Sequence, residues 1–379
     1  MKTIRTIALA TALSLSLPAT GAFAQALDRD VGVPLQEARS LAGQGNISAA
    51  LQRVSRARAA ANTAAERRKV AEMSAYVNTR AGRYSAAAKD LESIGASAAQ
   101  LAPMYYSARN YDKAIEMGRR MGNTKGLTIV AQSYLKQEKS AEAAKIYEDL
   151  IARNGPQVQY LENLANAQFK MGEKQQYLAT IERLIRQDPT PTRWRALLNN
   201  LKSESLTRDA KLALYKLLAE TNNITRSEDY IEFAKLATVA QEPGVARRIV
   251  TRGIENEQLS SEDPQVQSIV NAAGNRHQQV VTQFSTLKPG PEGYFRAGNA
   301  LFGEGKYEAA AVAYWKSYKM QREIKQSPFI NQALIGIGIS SLRAGKTDIA
   351  MKAFNMVQQD SAFNEVAALW KLYAETRSG

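Results

Sequence analysis

The chain of 379 residues contains no cysteine and a single histidine, His277. Without cysteine there is no disulfide, no thiolate metal site, no cysteine nucleophile and no acceptor for an N-terminal lipid. One histidine rules out a metal site built on two of them within one chain. Any nucleophilic triad would have to run through His277 or a lysine in its place. His277 follows Arg276 on a polar stretch and reads as a solvated side chain. The sequence also lacks a phosphate-binding glycine loop, a dinucleotide fingerprint and a G-x-S-x-G elbow. Alternating β-branched runs are missing. Prolines, 11 in all, fall mainly where helices should start or stop. Carboxylates are plentiful, but no span is left for the compact domain a paired-acid glycosidase needs. The expectation is a protein without a catalytic site, cofactor or metal.

The one sustained apolar run lies at the start. Lys2 and Arg5 precede an Ala/Leu-rich stretch from Ile7 to Leu17, Pro18 breaks it, and Ala22, Phe23 and Ala24 form a small-x-small signal. A spanning helix needs about 20 apolar residues, so the reading is a signal peptide, residues 1–24, cleaved after Ala24. That predicts an exported, soluble, periplasmic protein that is not a lipoprotein and keeps no integral membrane segment. Net charge is +14; losing Lys2 and Arg5 leaves +12. Export makes nucleic acid a poor partner for this charge, and anionic lipid, anionic glycan or acidic protein segments suit it better. Lys316, Lys319, Arg322 and Lys325, three residues apart, would form the clearest basic stripe.

After the signal, good helix formers dominate throughout. Near the C-terminus Tyr294, Ala297, Gly298 and Leu301 share one helical face, Gly305 ends that helix, and Tyr307, Ala310, Tyr314 and Ser317 line a second. Taking the turn residue as a mark, related units recur at Gly45, Gly82, Arg109, Glu138, Gly172, Ser205, Gln241, Gly274, Gly305 and Gly345. Nine steps cover 300 residues, about 33 each. A small residue commonly stands five places after the mark, as at Ala50, Ala87, Ala143, Ala210, Ala246, Ala310 and Ala350. The unit after Gly274 has polar residues there and reads as one bent helix or a degenerate pair.

This pattern resembles the tetratricopeptide repeat, a helix-turn-helix unit of 34 residues. The resemblance implies an all-α fold, a right-handed superhelical solenoid of about ten such repeats, each contacting mainly its neighbours. The division expected is a solenoid over 25–287 with a degenerate last unit, then C-terminal repeats and a capping helix over 292–379, with 287–291 as a possible hinge. Val366, Leu369, Trp370 and Tyr373 mark the cap, with Trp370 in the core. The segments 109–116 and 240–247 add a likeness to periplasmic proteins of proteobacterial envelope machines, including TonB-type energy transduction.

In that family the first helix of each pair lines the concave face that receives a peptide or partner protein. The position six before the mark holds Gln132, Asn166, Asn199 and Asn299. Side-chain amides offer both donor and acceptor to an extended backbone. Lys136, Asn163, Lys170, Arg195, Lys202 and Arg296 lie nearby and would complete a polar, basic groove. The expected function is a non-catalytic scaffold for a protein or peptide of the cell envelope. The alternative is a glycan-associated protein of cell-wall or exopolysaccharide assembly.

Overall fold

A computed structural model describes residues 27–202, 205–284, 290–324 and 329–377. The expected signal peptide, Lys325, most of the 287–291 link and the His277 side chain lie outside the described residues. Among these residues there are twenty α-helices and no strand. Among the described residues no helix is long and apolar enough to cross a membrane.

Eighteen helices form nine pairs. They are α1 (Arg29–Gly43) with α2 (Ile47–Ala60), α3 (Ala64–Arg80) with α4 (Tyr84–Glu92), and α5 (Ala98–Ser107) with α6 (Tyr111–Met121). Next come α7 (Thr124–Lys136) with α8 (Ser140–Asn154), α9 (Val158–Met171) with α10 (Lys174–Gln187), and α11 (Pro191–Lys202) with α12 (Arg208–Glu220). After α13 (Ser227–Val239) and α14 (Pro243–Glu255), the lone helix α15 (Pro264–Phe284) intervenes. The last pairs are α16 (Pro291–Gly303) with α17 (Tyr307–Glu323) and α18 (Ile330–Arg343) with α19 (Thr347–Asn355), followed by α20 (Asn364–Arg377).

The same turn joins the helices in eight of the nine pairs, the exception being α11 and α12, where Ser205 has no positive φ. Gly45, Gly82, Gly172, Gly305 and Gly345 have positive φ, and so do Arg109, Glu138 and Gln241. At each of these eight marks the next residue's N–H donates to the carbonyl five residues earlier, from Asn46 to Leu41 (2.8 Å) through Lys346 to Ser341 (2.8 Å). That bond closes a left-handed helix end and satisfies an otherwise orphaned carbonyl. A left-handed conformation costs a side-chain-bearing residue roughly 1–2 kcal/mol, so the fold overrides local preference at Arg109, Glu138 and Gln241. Gly274 does not behave this way. It lies inside α15 without positive φ, so nine pairs form rather than ten. The stretch after it carries no small apolar residue at the crossing position, and the helix runs on.

The alanines five places after the mark are where the helices of a pair cross. Ala50, Ala87, Ala114, Ala143, Ala210, Ala246, Ala310 and Ala350 are all fully buried. In the C-terminal pairs glycines allow a closer approach still. A Cβ at Gly298 would stand 2.5 Å from the Tyr314 ring, and one at Gly338 2.2 Å from Phe354.

The described residues divide into two compact units, one within Met1–Pro156 plus Asn166–Glu173, the other within Gln157–Ala165 plus Lys174–Gly379. In the first unit pairs follow one another, with Val31, Leu35, Val54, Val70 and Val77 in one core cluster and Leu91, Leu101, Met104 and Tyr105 in the next.

The second unit departs from neighbour-only stacking. Here α20 packs on α10, α12 and α18 as well as α19. Trp370 is buried, as expected, yet its Nε1–H donates to the Ala213 carbonyl (3.1 Å), far along the chain. Tyr373 meets Trp194 edge to face, Glu375 pairs with Arg186, and Glu220 pairs with Arg343. The final pairs are drawn onto α12 and α14 as well: Gly244 and Gly303 touch backbone to backbone, and Arg248 donates to the Phe302 carbonyl (2.9 Å). The C-terminal helix is therefore buried between the last pair and the middle of its unit, and does more than cover an open end.

Candidate functional site

The helix α11 starts at Pro191, whose ring suits a first helical turn, and buries Trp194, Leu197, Leu198 and Leu201. Burial of that stripe turns Arg195, Asn199 and Lys202, at i, i+4 and i+7, to the other face. The turn after α12 and the first turn of α13 bring Asn223, Thr225, Arg226 and Asp229 against them. Together these seven residues line an open polar cleft of about 490 Å³.

The cleft is held by hydrogen bonds. Buried Asn223 donates through Nδ2 to the carbonyl (3.1 Å) and hydroxyl (3.0 Å) of Thr221, and its Oδ1 accepts from Arg195 Nε (3.1 Å). Only one edge of the Arg195 guanidinium is used. Asp229 accepts from Lys202 and from both Nε (3.3 Å) and Nη2 (3.4 Å) of Arg226. Burial works to raise the Asp229 pKa, but the bonds from Lys202 and Arg226 outweigh it and hold the carboxyl below its ordinary range. Tyr215, 3.5 Å away through its hydroxyl, is pushed up by burial and by the Asp229 charge. Three cations against one carboxylate leave the cleft positive, and Asn199 faces it exposed, its side chain making no hydrogen bond among the described residues.

The other expected site residues have different settings. On α7, Gln132 is half-buried and Lys136 exposed; on α9, Asn166 is half-buried and Lys170 exposed, and among the described residues none has a side-chain hydrogen bond or ion pair. Asn163 donates to the Gln159 carbonyl of its own helix (2.8 Å). Arg296 pairs with Glu292 one turn away and borders a smaller cavity of about 180 Å³.

Asn299 is closed to a partner. It is buried, its Nδ2 donates to the Ala240 carbonyl (3.2 Å), and its Oδ1 accepts from Tyr314 (2.7 Å). In its pair the inner face is already filled by the α13–α14 turn. The amide reads a backbone carbonyl, but one of this chain. On α17, Lys316, Lys319 and Arg322 are exposed, with Lys316 over the Tyr294 ring and Arg322 over Tyr318.

Helical spacing located Arg195, Asn199 and Lys202 but missed the residues opposite them. Asn223, Arg226 and Asp229 belong to a turn and a helix start. Paired asparagines after α12 and the run Arg226 to Asp229 are the signals for both, Asn222 taking the left-handed conformation there.

Residues 131–199 match the family model described as tetratricopeptide repeat. The match takes in seven of the ten expected site residues, all but Lys202, Arg296 and Asn299. No curated protein matches the chain. Among solved structures it is similar to the crystal structure of yeast Tom70, at 12% identity over 93% of this chain and 90% of that one, with a TM-score of 0.21. A likeness that loose bears on neither shape nor partner. Residues 131–199 are thus similar to tetratricopeptide repeats, and repeats of that kind suggest a protein-interaction scaffold.

Proposed function

We propose that the protein is a non-catalytic scaffold that captures an extended peptide or a peptide-like segment of a partner protein in the α11–α13 cleft. The observation behind this is the Asn199 amide, exposed and without a partner among the described residues, set among Arg195, Lys202 and Arg226. An amide can satisfy one backbone N–H and one carbonyl together, and the surrounding cations favour a segment with acidic side chains. Asn299 illustrates the chemistry on this chain's own backbone. Residues 1–24, with their charged start, short apolar run and small-x-small end, support export. The partner then belongs to the cell envelope, within an assembly or transport machine, and the scaffold works in the periplasm.

Immobilised protein from which residues 1–24 are removed should capture a defined envelope partner. Asn199→Ala should abolish most of that capture while helicity and melting temperature stay as they are, because Asn199 is exposed. Capture unaffected by this substitution would sink the proposal. Fractionation gives a separate check on location: the protein should be released with periplasmic contents and lack residues 1–24 by mass.

A further inference from the structure

A second cleft, of about 650 Å³, opens among α12, α14, α17 and α18. Five cations line it, Lys216, Arg247, Arg248, Arg252 and Arg343, with the carboxylates of Glu220 and Glu255. Two of these charges are answered locally. Lys216 pairs with Glu242 (2.7 Å), and Arg343 pairs with Glu220. The three arginines of α14 have no carboxylate within ion-pair distance among the described residues.

Two of the three are nonetheless fixed in place. Arg248 donates through Nη1 to the carbonyls of Phe302 (2.9 Å) and Gly303, at the C-terminal end of α16. Arg252 donates through Nη1 to the Ala219 carbonyl (3.2 Å) and through Nη2 to Asn222 Oδ1 (2.7 Å), at the end of α12. Each bond occupies part of a guanidinium and leaves other N–H groups at the cleft. Arg247 is exposed and makes no side-chain bond among the described residues. Groups held this way lose little freedom when a ligand arrives. Burial pulls the Arg248 pKa below its ordinary value, and the charges of Arg343 and Arg247 add to that, against Tyr307 and Glu242.

The balance indicates how much charge is missing. Arg247, Arg248 and Arg252 against Glu255 leave an excess of two positive charges. A carboxylate supplies one negative charge; a phosphate monoester supplies about 1.5 to 2 and offers three oxygens to planar guanidinium forks. We propose that this cleft binds a phosphate-bearing ligand, a phosphate monoester or a pyrophosphate group, clasped by Arg247, Arg248 and Arg252. The ligand is either a soluble compound or the headgroup of a lipid.

The test uses the full chain without residues 1–24, inorganic pyrophosphate followed by calorimetry, and phosphatidylcholine vesicles with or without phosphatidic acid followed by co-sedimentation. Saturable binding of pyrophosphate alone indicates a soluble ligand. Sedimentation with phosphatidic acid that pyrophosphate displaces indicates a headgroup. Arg247→Gln should weaken either interaction roughly tenfold, the effect of one charge-assisted contact, with no change in melting temperature. Arg56→Gln, on the exposed surface of the other unit, should change nothing. The proposal is overturned if neither probe binds, if binding survives Arg247→Gln unchanged, or if citrate binds as tightly as pyrophosphate.

Discussion

Alanine in place of Gly244 adds one methyl group at the point where α14 meets the end of α16. That Cβ would stand 2.7 Å from the Gly303 Cα and 2.9 Å from its carbonyl carbon and oxygen. All three are backbone atoms, so no side chain can rotate away. Ordinary contact begins at 3.4 Å, so the two helices must separate by about 3.4 − 2.7 = 0.7 Å. Arg248, which donates to the Phe302 and Gly303 carbonyls, would be displaced with them. Overpacking of this kind costs roughly 1–3 kcal/mol. At roughly 2–4 °C per kcal/mol for a unit of this size, the second unit should melt about 2–12 °C lower. Gly274→Ala is the matched control, because it lies in α15 with nothing within 4 Å of the added Cβ. It should raise stability by about 0.5–1 kcal/mol through helix propensity alone. Thermal melts followed by circular dichroism at 222 nm check both. If the Gly244 variant melts with the parent or above it, the close crossing of α14 and α16 is refuted.

Further substitutions probe other parts of the fold. Tyr314→Phe removes the donor to Asn299 Oδ1 and strands a buried acceptor, a loss of about 1–3 kcal/mol by denaturant titration. Trp370→Ala should cost about 3–5 kcal/mol and expose α10 and α12 to proteolysis, since α20 packs on both; a variant cleaved only at its C-terminal end would argue for a simple cap. Arg109→Gly, Glu138→Gly and Gln241→Gly should each stabilise by about 0.5–1 kcal/mol, as relief of left-handed strain outweighs the flexibility of glycine. The Asp229 carboxyl is held below its ordinary value of 3.8 in the folded state. Its contribution is therefore complete above that value and is lost as pH falls through the lowered one. Asp229→Asn should flatten the acid limb of the stability profile there; an unchanged profile would contradict the Lys202–Asp229–Arg226 arrangement.

The local design of this protein is written in its residue spacing. A left-handed turn residue followed five places later by alanine fixes where seven of the nine pairs bend and where their helices cross, and both are interactions within about thirty residues. That is why Arg109, Glu138 and Gln241 could be recognised as turn positions although none is glycine. It is also why the unit after Gly274, with polar residues in place of the small apolar one, could be read as one helix or a degenerate pair, of which the single helix α15 is what forms. The face carrying Arg195, Asn199 and Lys202 was legible for the same reason, being set by the buried stripe of one helix.

The tertiary structure alone decided what lies opposite those faces. Asn199 and Asn299 occupy the same place in the repeat, yet one is exposed and the other is sealed beneath the Ala240 carbonyl. Nothing in either helix distinguishes them. The difference arises because α16, α18 and α20 dock on α12 and α14, with Trp370 reaching Ala213. Contacts between such distant segments depend on matching surfaces and follow no period that a single chain displays. Spacing therefore determined the helix pairs and their inner faces, while docking within the second unit determined which of those faces remain open.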